Sequence, residues 1–212
     1  MTSEPNVTFK ILTIGESGVG KTSIITQFID QTFQEDQQST TGGTFSTKSV
    51  ICDGGKILKF EIWDTAGQEK YRSLTKMFYK DANAAVMVYD VTRKDSFEEL
   101  KNYWASQIKE SSPENIILAI AANKSDLIEQ EVVDEENARN FAKEIGAIFV
   151  STSAKNSEGI NSLFEEIAKK YTGASKITIK EDGDDQPVEE QKDTVKIEAG
   201  NKVKKQKKSG FC

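Results

Sequence analysis

Residues 15–22 combine three glycines with a lysine and a threonine in the spacing Gly-x-x-x-x-Gly-Lys-Thr. Glycines at these positions allow successive backbone N–H groups to converge on phosphate oxygens at the start of a helix. In such a loop Lys21 reaches the β- and γ-phosphates, and the Thr22 hydroxyl binds Mg²⁺. The same spacing alone also describes a glycine-rich turn between a strand and a helix, so its meaning depends on the motifs that follow.

Residues 64–69, Asp-Thr-Ala-Gly-Gln-Glu, supply groups for holding a metal and positioning a water molecule. Asp64 is predicted to end a strand, where its carboxylate can hold Mg²⁺ through a water. The Gly67 N–H has no side chain to obstruct a γ-phosphate, and Gln68 can orient the attacking water. Phosphoryl transfer needs positioning and charge neutralisation more than covalent chemistry, so these few groups suffice. The alternative is an ordinary strand exit followed by a helix cap.

Residues 123–126, Asn-Lys-Ser-Asp, carry an amide and a carboxylate that can read a guanine edge. The Asp126 carboxylate can accept hydrogen bonds from both N1–H and the 2-amino group, and adenine offers neither donor. Sites that reject a ligand in this way discriminate by roughly 10⁴ or more. The Ala154 N–H, after the last predicted strand, can meet the guanine O6. The motif alone could be a surface turn, but the three motifs in this order predict a GTP-binding switch.

Apolar periodicity predicts the elements that must position these motifs. Continuous apolar runs indicate buried parallel strands, and spacings of three and four residues indicate helices. Strands are predicted at 7–14, 44–52, 56–64, 84–90, 116–123 and 147–152, helices at 21–30, 96–109, 134–145 and 160–171, and a loop at 33–41. This alternation predicts a doubly wound α/β sheet whose ligand lies at the carboxyl ends of the strands.

Composition limits the remaining possibilities. The chain has 212 residues, of which 36% are hydrophobic, and a net charge of −6, which argues against non-specific binding of nucleic acid. It has no histidine, so histidine catalysis and histidine metal sites are excluded, and two distant cysteines predict no disulfide framework. The polar N-terminus predicts no secretory signal. We predict a GTP-binding domain at 1–172 and a disordered tail at 173–212.

The sequence from about residue 7 to 172 resembles the Ras-like small GTPases. The run 62–69, Ile-Trp-Asp-Thr-Ala-Gly-Gln-Glu, is similar to the Rab branch, and residues 59–68 and 147–156 are most similar to its endocytic subgroup. The resemblance implies a P-loop GTPase fold with a six-stranded, mostly parallel sheet and about five helices. It also implies a slow GTPase that cycles between GDP and GTP states and recruits effectors in vesicle or endosomal traffic. Such a protein acts on the cytoplasmic face of intracellular membranes and cycles with the cytosol.

The resemblance assigns roles to individual residues. Catalysis is expected of Gln68, Lys21, Thr40 and Gly67, and Mg²⁺ binding of Thr22, Thr40 and Asp64. GTP or GDP is expected to contact Gly15, Ser17, Gly18, Val19, Gly20, Lys21, Thr22, Ser23, Phe33, Thr40, Gly67, Asn123, Lys124, Asp126, Ser153, Ala154 and Lys155. Effectors are expected to read the aromatic side chains Phe45, Trp63 and Phe78. The sequence alone favours ordinary packed strand aromatics for Phe45 and Trp63, and only the resemblance assigns them this role.

The sequence departs from the family pattern at three places. Thr40 is followed by Thr-Gly-Gly at 41–43, where the family has one apolar residue and a single glycine, and two glycines raise the entropic cost of ordering a loop. Lys70 replaces an arginine, and residues 78–81 read Phe-Tyr-Lys-Asp instead of Tyr-Tyr-Arg-Gly. None of these departures removes a catalytic group, so they bear on the choice of partners.

The tail contains signals for membrane attachment. Residues 181–193 hold seven acids and one lysine, and five lysines between Lys202 and Lys208 precede Cys212. Rabs commonly end in paired cysteines that carry two prenyl groups, whereas this sequence has the single Cys212, so one prenyl group is expected there. The nearby lysines are expected to supply a second signal by binding anionic lipid. The alternative is an unmodified cysteine after a solvated charge run. Implied partners are an exchange factor, a GTPase-activating protein and a GDP-dissociation inhibitor or escort protein, with the GTPase itself a monomer.

Two other classes of protein share parts of this pattern. A nucleotide kinase with the same phosphate loop would need a lid and basic residues for a second phosphate substrate, which the sequence does not clearly offer. A scaffold that binds GTP without useful hydrolysis is opposed by Gln68, whereas the Gly42-Gly43 pair keeps it open. Single-turnover hydrolysis separates the switch from the scaffold.

Overall fold

Seven strands form one sheet in the computed structural model, which describes residues 7–37, 40, 43–65 and 78–179. The strands are β1 (Val7–Ile14), β2 (Gly43–Cys52), β3 (Ile57–Thr65), β4 (Ala84–Asp90), β5 (Ile117–Asn123), β6 (Ile148–Thr152) and β7 (Ile177–Ile179). Their order across the sheet is β6-β5-β4-β1-β3-β2-β7. The predicted Gly67, Gln68, Lys70, Lys202–Lys208 and Cys212 lie outside the described residues.

The sheet is mostly parallel, as predicted. Strand β1 pairs in parallel with β3 and β4, and β5 pairs in parallel with β4 and β6. Strand β2 is antiparallel to both β3 and β7. All seven residues of β4 are buried, which accounts for its continuous apolar sequence, because helices cover both faces of a doubly wound sheet. The predicted α/β class is therefore confirmed.

Four helices cover the sheet within the described residues, against about five predicted. They are α1 (Lys21–Asp30), α2 (residues 94–111), α3 (Glu135–Glu144) and α4 (Ile160–Thr172). Helix α2 contains a π-helical turn at Leu100–Trp104 between two α-helical segments. Helices α1 and α4 pack on one face of the sheet, and α2 and α3 pack on the other. None of the described helices is long and apolar enough to cross a bilayer.

Strand β7 corrects the prediction that residues from 173 onward are disordered, and it also makes the sheet one strand wider than expected. It pairs antiparallel with the end of β2, and Ile177 is buried. The Asp53 carboxylate accepts hydrogen bonds from the Ser175 N–H and hydroxyl, both at 2.7 Å, and from the Lys176 N–H at 3.1 Å. These bonds lower the pKa of Asp53. The ordered chain therefore continues past residue 172 along the edge of the sheet.

The interface between α1 and α4 yields a prediction about stability. The rings of Phe28 and Phe164 stack there with centroids 3.8 Å apart, and both side chains are buried. Phe164→Ala should lower the free energy of unfolding by about 3–5 kcal/mol, because it leaves a cavity that the helices cannot fill. The half-exposed Phe45 is the control, and Phe45→Ala should cost about 1 kcal/mol or less. Urea unfolding at a fixed GDP concentration measures both, and equal losses would contradict the prediction.

Candidate nucleotide-binding site

A cavity of about 340 Å³ opens at the carboxyl ends of the parallel strands. Its walls come from the loops after β1, β5 and β6 and from the segment after α1. The lining residues are Ser17, Gly18, Gly20, Lys21, Thr22, Ser23, Phe33, Gln34, Glu35, Gln37, Thr40, Asn123, Lys124, Asp126, Leu127, Ala154 and Lys155. The structure thus brings together most of the residues that we predicted to bind the nucleotide. The first and the third motif lie about 100 positions apart in the sequence.

Two glycines let the loop at 15–20 lie against its surroundings. A Cβ on Gly15 would come within 2.3 Å of the Val88 carbonyl oxygen, and a Cβ on Gly20 within 2.2 Å of Asn123 Nδ2. Both glycines also have positive φ angles, +142° and +96°, which other residues rarely adopt. Gly20 precedes α1 without a side-chain cap among the described residues, so the first N–H groups of the helix are available to an anion.

Side chains from the motifs hold the carbonyl groups of this loop. Lys21 Nζ donates to the Gly15 oxygen at 3.0 Å and to the Glu16 oxygen at 2.8 Å. Asn123 Nδ2 donates to the Val19 oxygen at 2.8 Å, which joins the loop to the end of β5. These bonds fix the orientation of the peptide groups of the loop.

Lys21 is a buried cation at the centre of the loop. Burial lowers the pKa of Lys21 to about 8, although the charges of Asp64 and Glu16 raise it. The nearby carboxylates therefore do not fully offset the cost of removing the ammonium group from water. An anion that enters the cavity would supply the missing compensation.

Three oxygen-bearing side chains converge beside Lys21. Asp64 Oδ2 accepts from Thr22 Oγ1 at 2.5 Å and from Thr40 Oγ1 at 3.3 Å, and the two threonine hydroxyls lie 2.8 Å apart. Burial raises the pKa of Asp64, while the hydroxyl groups and Lys21 oppose this effect. A carboxylate and two hydroxyls are the hard oxygen ligands that Mg²⁺ prefers. The donor set therefore fits the predicted metal.

Residues after β5 and β6 form the opposite end of the cavity. Asn123 Oδ1 accepts from the Thr152 hydroxyl at 3.3 Å and from the Ala154 N–H at 3.4 Å. Asp126 Oδ1 accepts from the Ser153 hydroxyl at 2.6 Å, which fixes the carboxylate next to the loop after β6. The two predicted base-reading segments therefore meet in one place.

The rim of the cavity contains contacts that the sequence did not predict. Lys155 Nζ donates to Glu35 Oε1 at 3.0 Å, and this bond raises the pKa of Lys155. Lys124 Nζ lies 2.6 Å from Oδ2 of Asp90, a carboxylate that is only 1% exposed. Phe33 lines the cavity on the same side as Glu35. Asp90 could have been noticed in the sequence, because it ends a buried strand at the ligand edge of the sheet.

Arg93 lies beside the site and contacts the loop at 15–20, and it is the main residue there that sequence reasoning missed. Its Nη1 donates to the Ser17 oxygen at 3.0 Å, and its Nη2 donates to Glu16 Oε2 at 2.5 Å. Arg93 lies three residues after the end of β4, at the same edge of the sheet as the three motifs. That position is the only signal that the sequence offered, because no recognised motif includes this residue.

The three predicted effector aromatics form one cluster away from the cavity. The ring centroids of Phe45 and Trp63 are 5.1 Å apart, and those of Trp63 and Phe78 are 5.3 Å apart. Phe45 is 48% exposed, so the cluster reaches the surface. Gly43 lies next to it, and a Cβ there would approach the Phe78 ring to 3.2 Å.

Comparisons with known proteins agree with this site. Residues 10–173 match the model of the Ras family. The chain is 47% identical to Ras-related protein Rab-31 of Mus musculus over 160 residues, 76% of this chain and 81% of that protein. It is 45% identical to Ras-related protein Rab-22A of Homo sapiens over 161 residues, 76% of this chain and 82% of that protein.

These matches confirm three predictions: the Rab resemblance, the GTPase activity, and the role of a small GTPase switch in vesicle and endosomal traffic. The family also implies binding of a guanine nucleotide and, in general, of Mg²⁺. The chain belongs to the Ras family of small GTPases, in the Rab branch that includes Rab-22A and Rab-31.

Proposed function

We propose that this GTPase binds GDP and GTP together with Mg²⁺ in the cavity described above, and that the residues of the three motifs carry out its switch cycle. The observation that carries the proposal is that one cavity is lined by a buried lysine, two hydroxyl groups and a fixed carboxylate, and that a second, buried carboxylate accepts hydrogen bonds from both hydroxyl groups. These groups are Lys21, the cluster of Thr22, Thr40 and Asp64, and Asp126.

The phosphates would lie against the loop at 15–20 and the start of α1. Lys21 then binds the β- and γ-phosphates with its ammonium group, and their negative charge restores its pKa towards the ordinary value. The uncapped N-terminus of α1 would present the N–H groups of Lys21, Thr22 and Ser23 to the α- and β-phosphates. This arrangement needs no rearrangement of the loop, because Lys21 and Asn123 already hold its carbonyl groups.

Thr22, Thr40 and Asp64 would hold the metal. The Mg²⁺ that these residues would hold would neutralise negative charge on the phosphates. Gly67 and Gln68 lie outside the described residues, so their roles are proposed from the sequence: the Gly67 N–H binds the γ-phosphate, and Gln68 orients the attacking water. Thr40 and Gly67 release their segments when the γ-phosphate is gone, which makes hydrolysis the switching step.

The base would lie between Phe33 and the segments after β5 and β6. The Asp126 carboxylate accepts from N1–H and the 2-amino group of guanine, and the Ala154 N–H meets O6. The Ser153 hydroxyl holds Asp126 at 2.6 Å, which supports a preorganised carboxylate. Lys124 and Lys155 would line the base pocket. Ion pairs hold them in place, Lys124 with Asp90 and Lys155 with Glu35.

We further propose the finer identity of the partners and the location. Effectors bind the aromatic cluster of Phe45, Trp63 and Phe78, and an exchange factor, a GTPase-activating protein and a GDP-dissociation inhibitor or escort act on the cycle. The protein works as a monomer and does not bind nucleic acid. The lysines from Lys202 to Lys208 and one prenyl group on Cys212 attach it to the cytoplasmic face of endosomal or vesicular membranes. The nucleotide domain, predicted to end at residue 172, extends to β7 because that strand belongs to the same sheet.

The first prediction concerns the choice of base. Asp126→Asn should weaken GDP binding at least about 100-fold, because an amide cannot accept both guanine donors and a buried donor is left unpaired. Xanthosine diphosphate, which has a carbonyl in place of the 2-amino group, should bind more tightly to the variant, because the amide N–H can donate to that carbonyl whereas the carboxylate repels it. Asp134→Asn is the matched control, since Asp134 caps α3 away from the cavity. Competition titration against fluorescent GDP measures all three, and equal losses for the two diphosphates would contradict the role of Asp126.

The second prediction concerns the metal. Chelation of Mg²⁺ by EDTA should accelerate GDP release from the unmodified protein at least about tenfold, because the phosphate charge is then less well neutralised. Asp64→Asn should make release fast already in Mg²⁺ and nearly insensitive to EDTA. Asp53→Asn, which removes a carboxylate at the remote β7 contact, should keep the full EDTA response. A full EDTA response in Asp64→Asn would remove Asp64 from the metal site.

The third prediction separates the switch from a scaffold that binds GTP without cleaving it. Intrinsic single-turnover hydrolysis should proceed at a rate on the order of 10⁻⁴ to 10⁻² s⁻¹, and a GTPase-activating protein should raise it. Gln68→Leu should abolish most of the stimulation, because leucine cannot orient water, whereas Gln130→Leu at an exposed turn should have no effect. Uncleaved GTP in the unmodified protein would favour the scaffold, and unchanged stimulation in Gln68→Leu would contradict the role of Gln68.

A further inference from the structure

We infer that Arg93 is a positioning residue that clamps the phosphate loop from outside the cavity and slows the release of bound nucleotide. Arg93 is not among the residues that line the cavity, so it acts through the loop and does not touch the ligand. The inference rests on the proposed occupation of this cavity by a nucleotide.

The guanidinium group of Arg93 joins two consecutive residues of the loop. Nη1 donates to the Ser17 carbonyl at 3.0 Å, and Nη2 donates to the Glu16 carboxylate at 2.5 Å. A planar guanidinium with two bonds in different directions restrains both position and rotation, which a single contact cannot do. The side chains of Arg93 and Glu16 are 34% and 30% exposed, so water screens this pair less than a fully exposed one.

Arg93 is itself fixed to the scaffold. Its N–H donates to the Asp90 carbonyl at 3.0 Å, and its carbonyl accepts from the Ser96 hydroxyl at 2.7 Å, where α2 begins. Its Nη2 also donates to Asp95 Oδ2 at 3.1 Å. The clamp therefore connects the phosphate loop to the end of the fully buried strand β4 and to the first turn of α2.

Arg93 supplies a hydrogen bond to the loop that the motif residues do not make. Lys21 and Asn123 bind loop carbonyls before and after Ser17, whereas the Ser17 carbonyl receives its hydrogen bond from Arg93. Ser17 and the following Gly18 both line the cavity, and the Gly18 Cα faces Arg93 closely enough that a Cβ would lie 3.6 Å from Nη1. By restraining the peptide group between Ser17 and Gly18, Arg93 also restrains the loop N–H groups that would bind the β-phosphate.

The clamp differs from an ordinary surface ion pair. Such pairs contribute little, and Arg139 with Glu135 on α3 is an example, with both side chains 48% exposed and four positions apart on one helix. Arg93 bonds to a partner 77 residues away and to a backbone carbonyl of the loop. If release of a nucleotide requires this loop to open, a contact that holds it closed raises the barrier to release.

The decisive measurement is the release of fluorescently labelled GDP into excess unlabelled GDP with Mg²⁺. Arg93→Met should release GDP about tenfold faster, the change expected from losing hydrogen bonds to a charged group. Arg139→Met, which removes the same charge from an exposed pair, should stay within about twofold of the unmodified protein. Arg93→Lys keeps the charge but replaces the planar guanidinium with a single ammonium group, so it should release GDP at an intermediate rate.

A double-mutant cycle tests the route. Glu16→Gln should accelerate release by itself, and the Glu16→Gln and Arg93→Met double variant should be no faster than Arg93→Met alone, because the two side chains bond to each other. The acceleration by Arg93→Met should persist in EDTA, since the clamp does not involve the metal ligands. Single-turnover hydrolysis in the loaded protein should stay within about twofold.

The inference would be overturned by unchanged release in Arg93→Met, by an equal acceleration in Arg139→Met, or by independent, multiplying effects of the Glu16 and Arg93 substitutions. A parallel loss of hydrolysis would also overturn it, because Arg93 would then support the site as a whole. Failure of the unmodified protein to bind labelled GDP is a different result, and it would contradict the proposed nucleotide site itself.

Discussion

The buried pair of charges formed by Lys21, at the start of α1, and Asp64, near the end of β3, is the constraint on which the site depends. Lys21 is 6% exposed and Asp64 is 2% exposed, and burial shifts the pKa of each group towards its neutral form. Neither charge is fully compensated by the protein, which is costly in an interior of low dielectric constant. A polyanion beside Lys21 and a divalent cation beside Asp64 would offset these costs, so the two buried charges favour the binding of both.

The register of the sheet brings the polar groups to one level. Thr13 pairs with Asp64 between β1 and β3, and Asn123 pairs with Asp90 of β4 on one side and Thr152 of β6 on the other. Five strand ends therefore carry polar side chains at the same edge, while the buried strand interiors are apolar. A shift of one residue in any of these pairings would turn the polar group into the core.

Sequence reasoning predicted those parts of the molecule that local pattern determines. The buried strands β4 and β5 and the helices at α1, α3 and α4 were predicted to within one or two residues, since continuous apolar runs and helical spacing are strong signals. Strand β7 and Arg93 were missed because distant contacts create them. Asp53 binds Ser175 across 122 positions, and Arg93 binds Glu16 across 77. The residues that flank β7 and Arg93 in the sequence carry no signal of these distant contacts.

The unusual glycine at 43 has a physical explanation in the contact with Phe78. Gly43 begins β2 opposite Thr65 of β3, and a Cβ at this position would press against the Phe78 ring at 3.2 Å. The missing side chain lets that ring pack on Trp63 beside the strand. Gly43 follows Thr40, which is proposed to hold the metal, by three positions. Gly43 therefore places the start of β2 against Phe78, so the strand that begins three residues after Thr40 contacts the surface proposed for effectors.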